Sequence, residues 1–167
     1  MIACLDVFYR DNGGASAAAV MIAEWASSEP ALEKVIAIDA VAPYQPGSFY
    51  KRELPCLLAV LAAVPEATVI VIDGYVWLGE GRPGLGAHLH EALGRKVPVV
   101  GVAKTSFQSA TTACEILRGT SQRPLYVTAE GMPLDVAARH VRDMHGEHRL
   151  PKMLRRVDGL CRRGAAG

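Results

Sequence analysis

Aromatic residues are scarce, 6% of the 167-residue chain, and only two are tryptophan. Single residues such as Trp25 and Trp77 are more often ordinary core or surface aromatics than base-stacking platforms. Cysteine is equally sparse. Cys4, Cys56, Cys114 and Cys161 are scattered, with no C-x-x-C pair and no zinc-finger spacing, so they read as reduced thiols. No apolar run reaches the roughly 20 residues that cross a bilayer. The opening segment also lacks the basic region and small-residue cleavage site of a signal peptide. A cytoplasmic protein with no membrane partner is expected. Neither sign of charge dominates: the formal net charge is +1, so a polyanion partner would need clustered rather than abundant positive charge. No G-x-x-x-x-G-K-[ST] follows a strand, which argues against a P-loop. His140 and His145 are spaced i, i+5, off the i, i+4 pairing that puts two zinc ligands on one helix face, and His148 does not complete a set.

Half of the chain is apolar, and its length suits one domain spanning 1–167 with a single sizeable core. Positive charge is concentrated from Arg149 onward, where Arg149, Lys152, Arg155, Arg156, Arg162 and Arg163 face only Asp158. This segment reads as a basic tail, either solvated or laid along a phosphate backbone.

Ile2 to Tyr9 and Ala15 to Ile22 are apolar runs joined by Asn12-Gly13-Gly14, a hairpin signal, and Val35 to Val41 reads as a third strand. Pro43-Tyr44-Gln45-Pro46-Gly47 is turn chemistry. Helical spacing follows from Phe49 to Ala63, with Pro55 in an early turn. Thr68 to Ile72 is a short β-branched run closed by Asp73-Gly74, the pattern of a buried parallel strand. After a glycine-rich loop from Gly74 to Gly86, the sequence predicts a helix over His88 to Leu93 and a strand over Val97 to Val102, ending at Lys104. It then predicts a short strand over Tyr126 to Thr128 and a helix over Asp135 to His145. Strands first, then alternating strand and helix, predict an α/β fold: a mixed sheet with helices packed on it. In such sheets ligands bind at the carboxyl ends of the parallel strands, where Asp73 and Lys104 fall.

Asp6 lies inside an apolar strand, where an ionised carboxylate is costly unless paired or bound to a cation. Asp73 closes a buried strand, and Glu53 by itself is ordinary charge complementation of a helix start. Taken together these acids suit Mg²⁺, which takes a few carboxylates and keeps several waters. Two such ions activate water and stabilise the leaving oxygen in phosphodiester hydrolysis. Lys104 would place positive charge on the phosphate or the developing oxyanion.

Several motifs resemble the endonuclease V family. Pro43-Tyr44-Gln45-Pro46-Gly47, a short spacer, and Tyr50-Lys51-Arg52-Glu53-Leu54-Pro55 follow its P-Y-x-P-G and F-R-E-x-P pattern. Asp6-Val7 resembles its first-strand D-V, Ile72-Asp73-Gly74 its V-D-G, and Gly101-Val102-Ala103-Lys104 its G-V-A-K. Pro124-Leu125-Tyr126-Val127 and Arg149-Leu150-Pro151 fall in family order, so the resemblance covers nearly the whole chain. It implies a ribonuclease H-like fold: a mixed sheet whose first three strands are antiparallel and the rest parallel, with helices on both faces. It implies cleavage, dependent on Mg²⁺ or Mn²⁺, of a phosphodiester near a deaminated base, inosine, in DNA or RNA. By position Asp6, Glu53 and Asp73 would be metal ligands, and Lys104 would contact the phosphate near the scissile bond. Tyr44 would be a wedge in the opened strand, on a loop shaped by Pro46 and Gly47. Amides around Gly74 would face the extruded base.

Two departures from the family pattern stand out. The family continues its third acid as D-G-x-G-x-x-H-P-R, whereas here Gly79 holds the histidine position, although Arg82, Gly84 and His88 fall where the family has arginine, glycine and histidine. Glu130 replaces the histidine of a G-H pair, either as a fourth metal-binding carboxylate or as charge before a helix. The chain also starts later than the family pattern, so a preceding helix is not expected. Two other functions remain open: a catalytically attenuated homologue that binds nucleic acid, and a nucleotide- or metabolite-binding α/β protein whose acids are structural.

Overall fold

The structure, a computed structural model, describes residues 1–108 and 112–164. It opens with an antiparallel meander of β1 (Ile2–Tyr9), β2 (Ala15–Ile22) and β3 (Leu32–Ile38). Asn12 fixes the first turn by accepting a hydrogen bond at its Oδ1 from the Gly14 amide, 3.1 Å away. β3 begins and ends three residues earlier than its β-branched run suggests, because pairing of Ala15 with Ile38 sets the register. The alanines of β2 have a structural purpose: every residue of the strand is buried, and helices press on it from both faces. Small side chains let both helices approach.

The first of these helices is α1 (Tyr50–Leu61), which runs through Pro55 at its sixth residue. Next come β4 (Val69–Asp73) and, inside the expected glycine-rich loop, a small hairpin of β5 (Trp77–Gly79) and β6 (Arg82–Pro83). α2 (Leu85–Ala92) starts three residues before the expected helix. A side chain at Gly84 would place its Cβ 2.6 Å from the Tyr75 carbonyl, so the loop and helix meet backbone to backbone. β7 (Val99–Ala103), β8 (Cys114–Ile116), β9 (Leu125–Glu130), α3 (Leu134–Asp143) and α4 (Lys152–Gly164) complete the fold.

The main sheet has the order β3-β2-β1-β4-β7-β9-β8. β1, β4 and β7 are mutually parallel, as expected, but β9 runs antiparallel to β7 and pairs with the unexpected β8. One face packs its aliphatic residues on α1 and α2, the other on α3 and α4. Apart from the antiparallel β8 and β9, this is the ribonuclease H-like arrangement that the motifs imply. No helix among the described residues is long and apolar enough to cross a membrane.

The basic tail expected from Arg149 is corrected to a packed helix. α4 buries Met153, Leu154, Val157 and Cys161 against β1, β2 and β3. Lys152 and Arg156 pair with Glu29 and Glu33, Arg162 pairs with Asp158, and Arg149 donates to the carbonyls of Lys104, Arg123 and Pro124. These cations are spent on the fold because the helix has an apolar stripe to bury. The loop before α4 is gathered by buried Arg118, whose guanidinium donates to the carbonyls of Arg142, Met144, Gly146 and His148.

Candidate metal and nucleic-acid site

Sheet register assembles the first part of the site. Leu5 pairs with Ile72 and Asp73 with Val102, so Asp6 and Asp73 stand side by side at the carboxyl ends of adjacent parallel strands, with Lys104 two residues beyond Val102. Strand alternation puts all three on one face. Cys4, Val71 and Val102 belong to the core under α3 and α4, and Asp6, Asp73 and Lys104 each lie two residues further along their strands. Lys104 donates from Nζ to Asp73 Oδ2 at 2.6 Å. Burial works against the Lys104 charge, but the hydrogen bond and charge of Asp73 outweigh it and raise the ammonium pKa.

Glu53 reaches the cluster from the other face. It sits in the first turn of α1 and is only 6% exposed. Burial, reinforced by the charges of Asp6 and Asp73, pushes its carboxyl up to about 8. Burial and then Asp73 likewise push Asp6 up to about 6, opposed by the Val7 amide that donates to Asp6 Oδ1 at 2.8 Å. Negative charge from Asp73 thus adds to burial at both Asp6 and Glu53, a concentration of charge that a cation would relieve.

Sequence reasoning missed the acid that α4 brings. Asp158 also raises Asp6, and ligand atoms of Asp6, Asp158 and Cys161 lie within 4.8 Å of one another. The signal was present. Met153, Leu154, Val157 and Cys161 recur at helical spacing through the basic run, and Asp158 is its one acid. Hard carboxylate oxygens from β1, β4, α1 and α4 suit an octahedral Mg²⁺ or Mn²⁺ that keeps part of its water shell.

Glu130 lies apart from the other acids. It pairs with Val99, three residues from the Val102 that pairs with Asp73, a separation of roughly 10 Å along the strand. Because β9 is antiparallel to β7, its carboxyl end lies at the amino end of β7. There Glu130 Oε2 accepts a hydrogen bond from Trp77 Nε1 at 2.8 Å. Of the two roles open to Glu130, the fourth ligand is therefore not the one its position suits, and its carboxylate holds the β5–β6 hairpin instead.

Beside the acids opens a cavity of about 510 Å³, whose lining includes Gly47, Phe49, Asp73, Gly74, Arg82 and Phe107. Tyr44 stands at the neighbouring loop, 59% exposed, in edge-to-face contact with Phe49 at 6.4 Å. Gly47 has a φ of +76, and Pro46 is exposed. Arg82 lies 5.9 Å from the Phe107 ring. His88 stacks on Tyr50 at 3.5 Å, and burial lowers its pKa. Gly74 lies in the cavity lining, with its own amide donating to the Val102 carbonyl at 3.1 Å. Gly101 explains the first letter of G-V-A-K. A Cβ there would lie 2.5 Å from the Gly74 carbonyl and 2.9 Å from the Val76 nitrogen, so the loop lies directly on β7.

Sequence and structure comparisons agree on the relatives. The Endonuclease V family profile matches residues 1–121. Endonuclease V of Streptomyces avermitilis is 31% identical over 180 residues, covering 95% of this chain and 78% of its own length. That of Streptomyces coelicolor is 29% identical, with 95% and 76% covered. The crystal structure of the S. avermitilis protein superposes with a TM-score of 0.81 at 30% identity, covering 99% of this chain and 81% of that one. A Ciona intestinalis endonuclease V, in complex with a 23mer DNA containing an inosine followed by a ribo-adenosine, shares the fold with a TM-score of 0.82 at 18% identity, covering 99% and 85%.

Proposed function

This chain belongs to the endonuclease V family, and on that premise we propose that it hydrolyses a phosphodiester bond near inosine in DNA or RNA, using Mg²⁺ or Mn²⁺. The observation that carries the reading is the register placing Asp6 beside Asp73, with Glu53 and Asp158 converging on them from opposite faces of the sheet. When bound, the metal supplies a lowered water pKa and stabilisation of charge on the leaving oxygen. Asp6, Asp73, Glu53 and Asp158 would hold it. Lys104, which donates to Asp73 at the edge of the cluster, would place its ammonium against the phosphate. Tyr44 is a rigid exposed aromatic between prolines, suited to stacking where a base has been opened out. The cavity edged by Gly74, Arg82 and Phe107, with His88 close by on Tyr50, would receive the extruded base. We assign the protein to the cytoplasm and to nucleic-acid repair, as a single domain over 1–167.

The test is cleavage of labelled single-stranded DNA and RNA carrying one inosine, with Asp73→Ala as control. Metal-dependent product from the parent protein and none from the variant is expected. Absence of metal-dependent product would sink the enzymatic reading. Gly79 at the family's histidine position favours a second reading, an attenuated homologue, which predicts inosine-dependent binding without cleavage.

A further inference from the structure

We propose that Cys161 turns the acidic cluster into a mixed oxygen–sulfur site, where a thiophilic divalent ion, Zn²⁺ or Cd²⁺, binds Asp6, Asp158 and Cys161 and excludes the harder ion. This rests on reading the cluster as a metal site. Asp158 and Cys161 are one turn apart on α4, so they share the helix face turned to β1, and their ligand atoms lie within 4.8 Å of each other and of Asp6. Cys161 is 1% exposed, and Met153, Leu154 and Val157 seat the same helix on the sheet, so the sulfur is held at the cluster.

The donor set decides which ions compete. Mg²⁺ takes oxygen and keeps waters, whereas Zn²⁺ accepts thiolate and carboxylate together at four-coordinate sites. Thiolate selects softer ions over Mg²⁺ and Mn²⁺. Cys161 Sγ donates to the Asp158 carbonyl at 3.1 Å, and Arg162 Nε donates to Asp158 Oδ1 at 2.9 Å. Ligation replaces both contacts: the thiol proton passes to solvent and Arg162 leaves the carboxylate. Asp73, paired with Lys104, is not among the three ligands. An ion so placed occupies Asp6, which the proposed reaction also needs, so it is an inhibitor.

Titration of metal-free protein with Cd²⁺ tests this through thiolate-to-cadmium charge-transfer absorption. The parent protein should show a saturable band, which Cys161→Ser abolishes and Cys114→Ser, at a half-buried thiol elsewhere, leaves intact. Asp158→Asn should weaken Cd²⁺ binding by at least about tenfold, the lower end of what loss of even an outer partner costs a metal site. Cys161→Ala serves in the same way should the serine variant not fold. An unchanged band in a folded Cys161 variant, or no band in the parent protein, overturns the proposal. The readout is independent of cleavage. Without inosine-dependent cleavage but with the band, the nuclease reading fails and the soft site stands; cleavage without the band gives the reverse.

Discussion

The residues that set the site are expensive when no cation is bound. Asp6 is raised from its ordinary 3.8 to about 6 and Glu53 from 4.5 to about 8. At low pH both are protonated in folded and unfolded chains alike. As pH rises the unfolded chain ionises first, so the metal-free fold loses stability progressively from about pH 4 to about pH 8. Mg²⁺ should restore that stability, most strongly at the alkaline end, where the ligands are ionised. Melting curves against pH with and without Mg²⁺ check this; a metal increment that shrinks between pH 6 and 8 would contradict it. Asp6→Asn should melt higher than the parent protein at pH 8 without metal, yet gain nothing from Mg²⁺, a pairing that a purely structural aspartate would not give. Lys104→Ala belongs at the same scale. Its ion pair with Asp73 is roughly 40% exposed on both sides, so stability should change by less than about 1 kcal/mol, while the cleavage rate falls. At this scale the sequence was readable where an acid interrupts an apolar strand, as Asp6 and Asp73 do. It left Glu130 open between two roles, because a residue's place in a motif says nothing about its strand's direction in the sheet.

At the scale of elements, β1 to β4, β7 and β9 were legible because apolar runs and hairpin turns are local signals, whereas the short β5, β6 and β8 and the helix α4 were not read. Charge was the louder feature of residues 149–163 and masked the helical spacing of Met153, Leu154, Val157 and Cys161, the stripe that packs on the sheet. Met153→Ala should therefore cost about 2–5 kcal/mol in urea unfolding, as for a core methionine. A result near zero would return this segment to the status of a solvated tail. The contact between β7 and the loop after β4 gives a second prediction. Gly101→Val forces a Cβ within 2.5 Å of the Gly74 carbonyl and should destabilise the fold by about 1–3 kcal/mol. It should also raise KM for inosine-containing substrate, because the displaced loop lines the cavity.

Across the whole molecule, a sheet with helices on both faces lets α1 deliver Glu53 from one side and α4 deliver Asp158 from the other, over strand ends carrying Asp6 and Asp73. The motifs announced the fold because their order along the chain follows the strand and helix order. The fourth acid could not be inferred from them, since only packing of α4 across β1 brings it in. The most direct measurement is the single-turnover rate on an inosine-containing single strand, with and without Mg²⁺, for the parent protein, Asp6→Asn and Asp158→Asn. If this convergence is a metal-dependent cutting site, cleavage beside the inosine requires Mg²⁺ and both substitutions abolish it while the fold persists; metal-independent cleavage, or variants that cut at the parent rate, would contradict that.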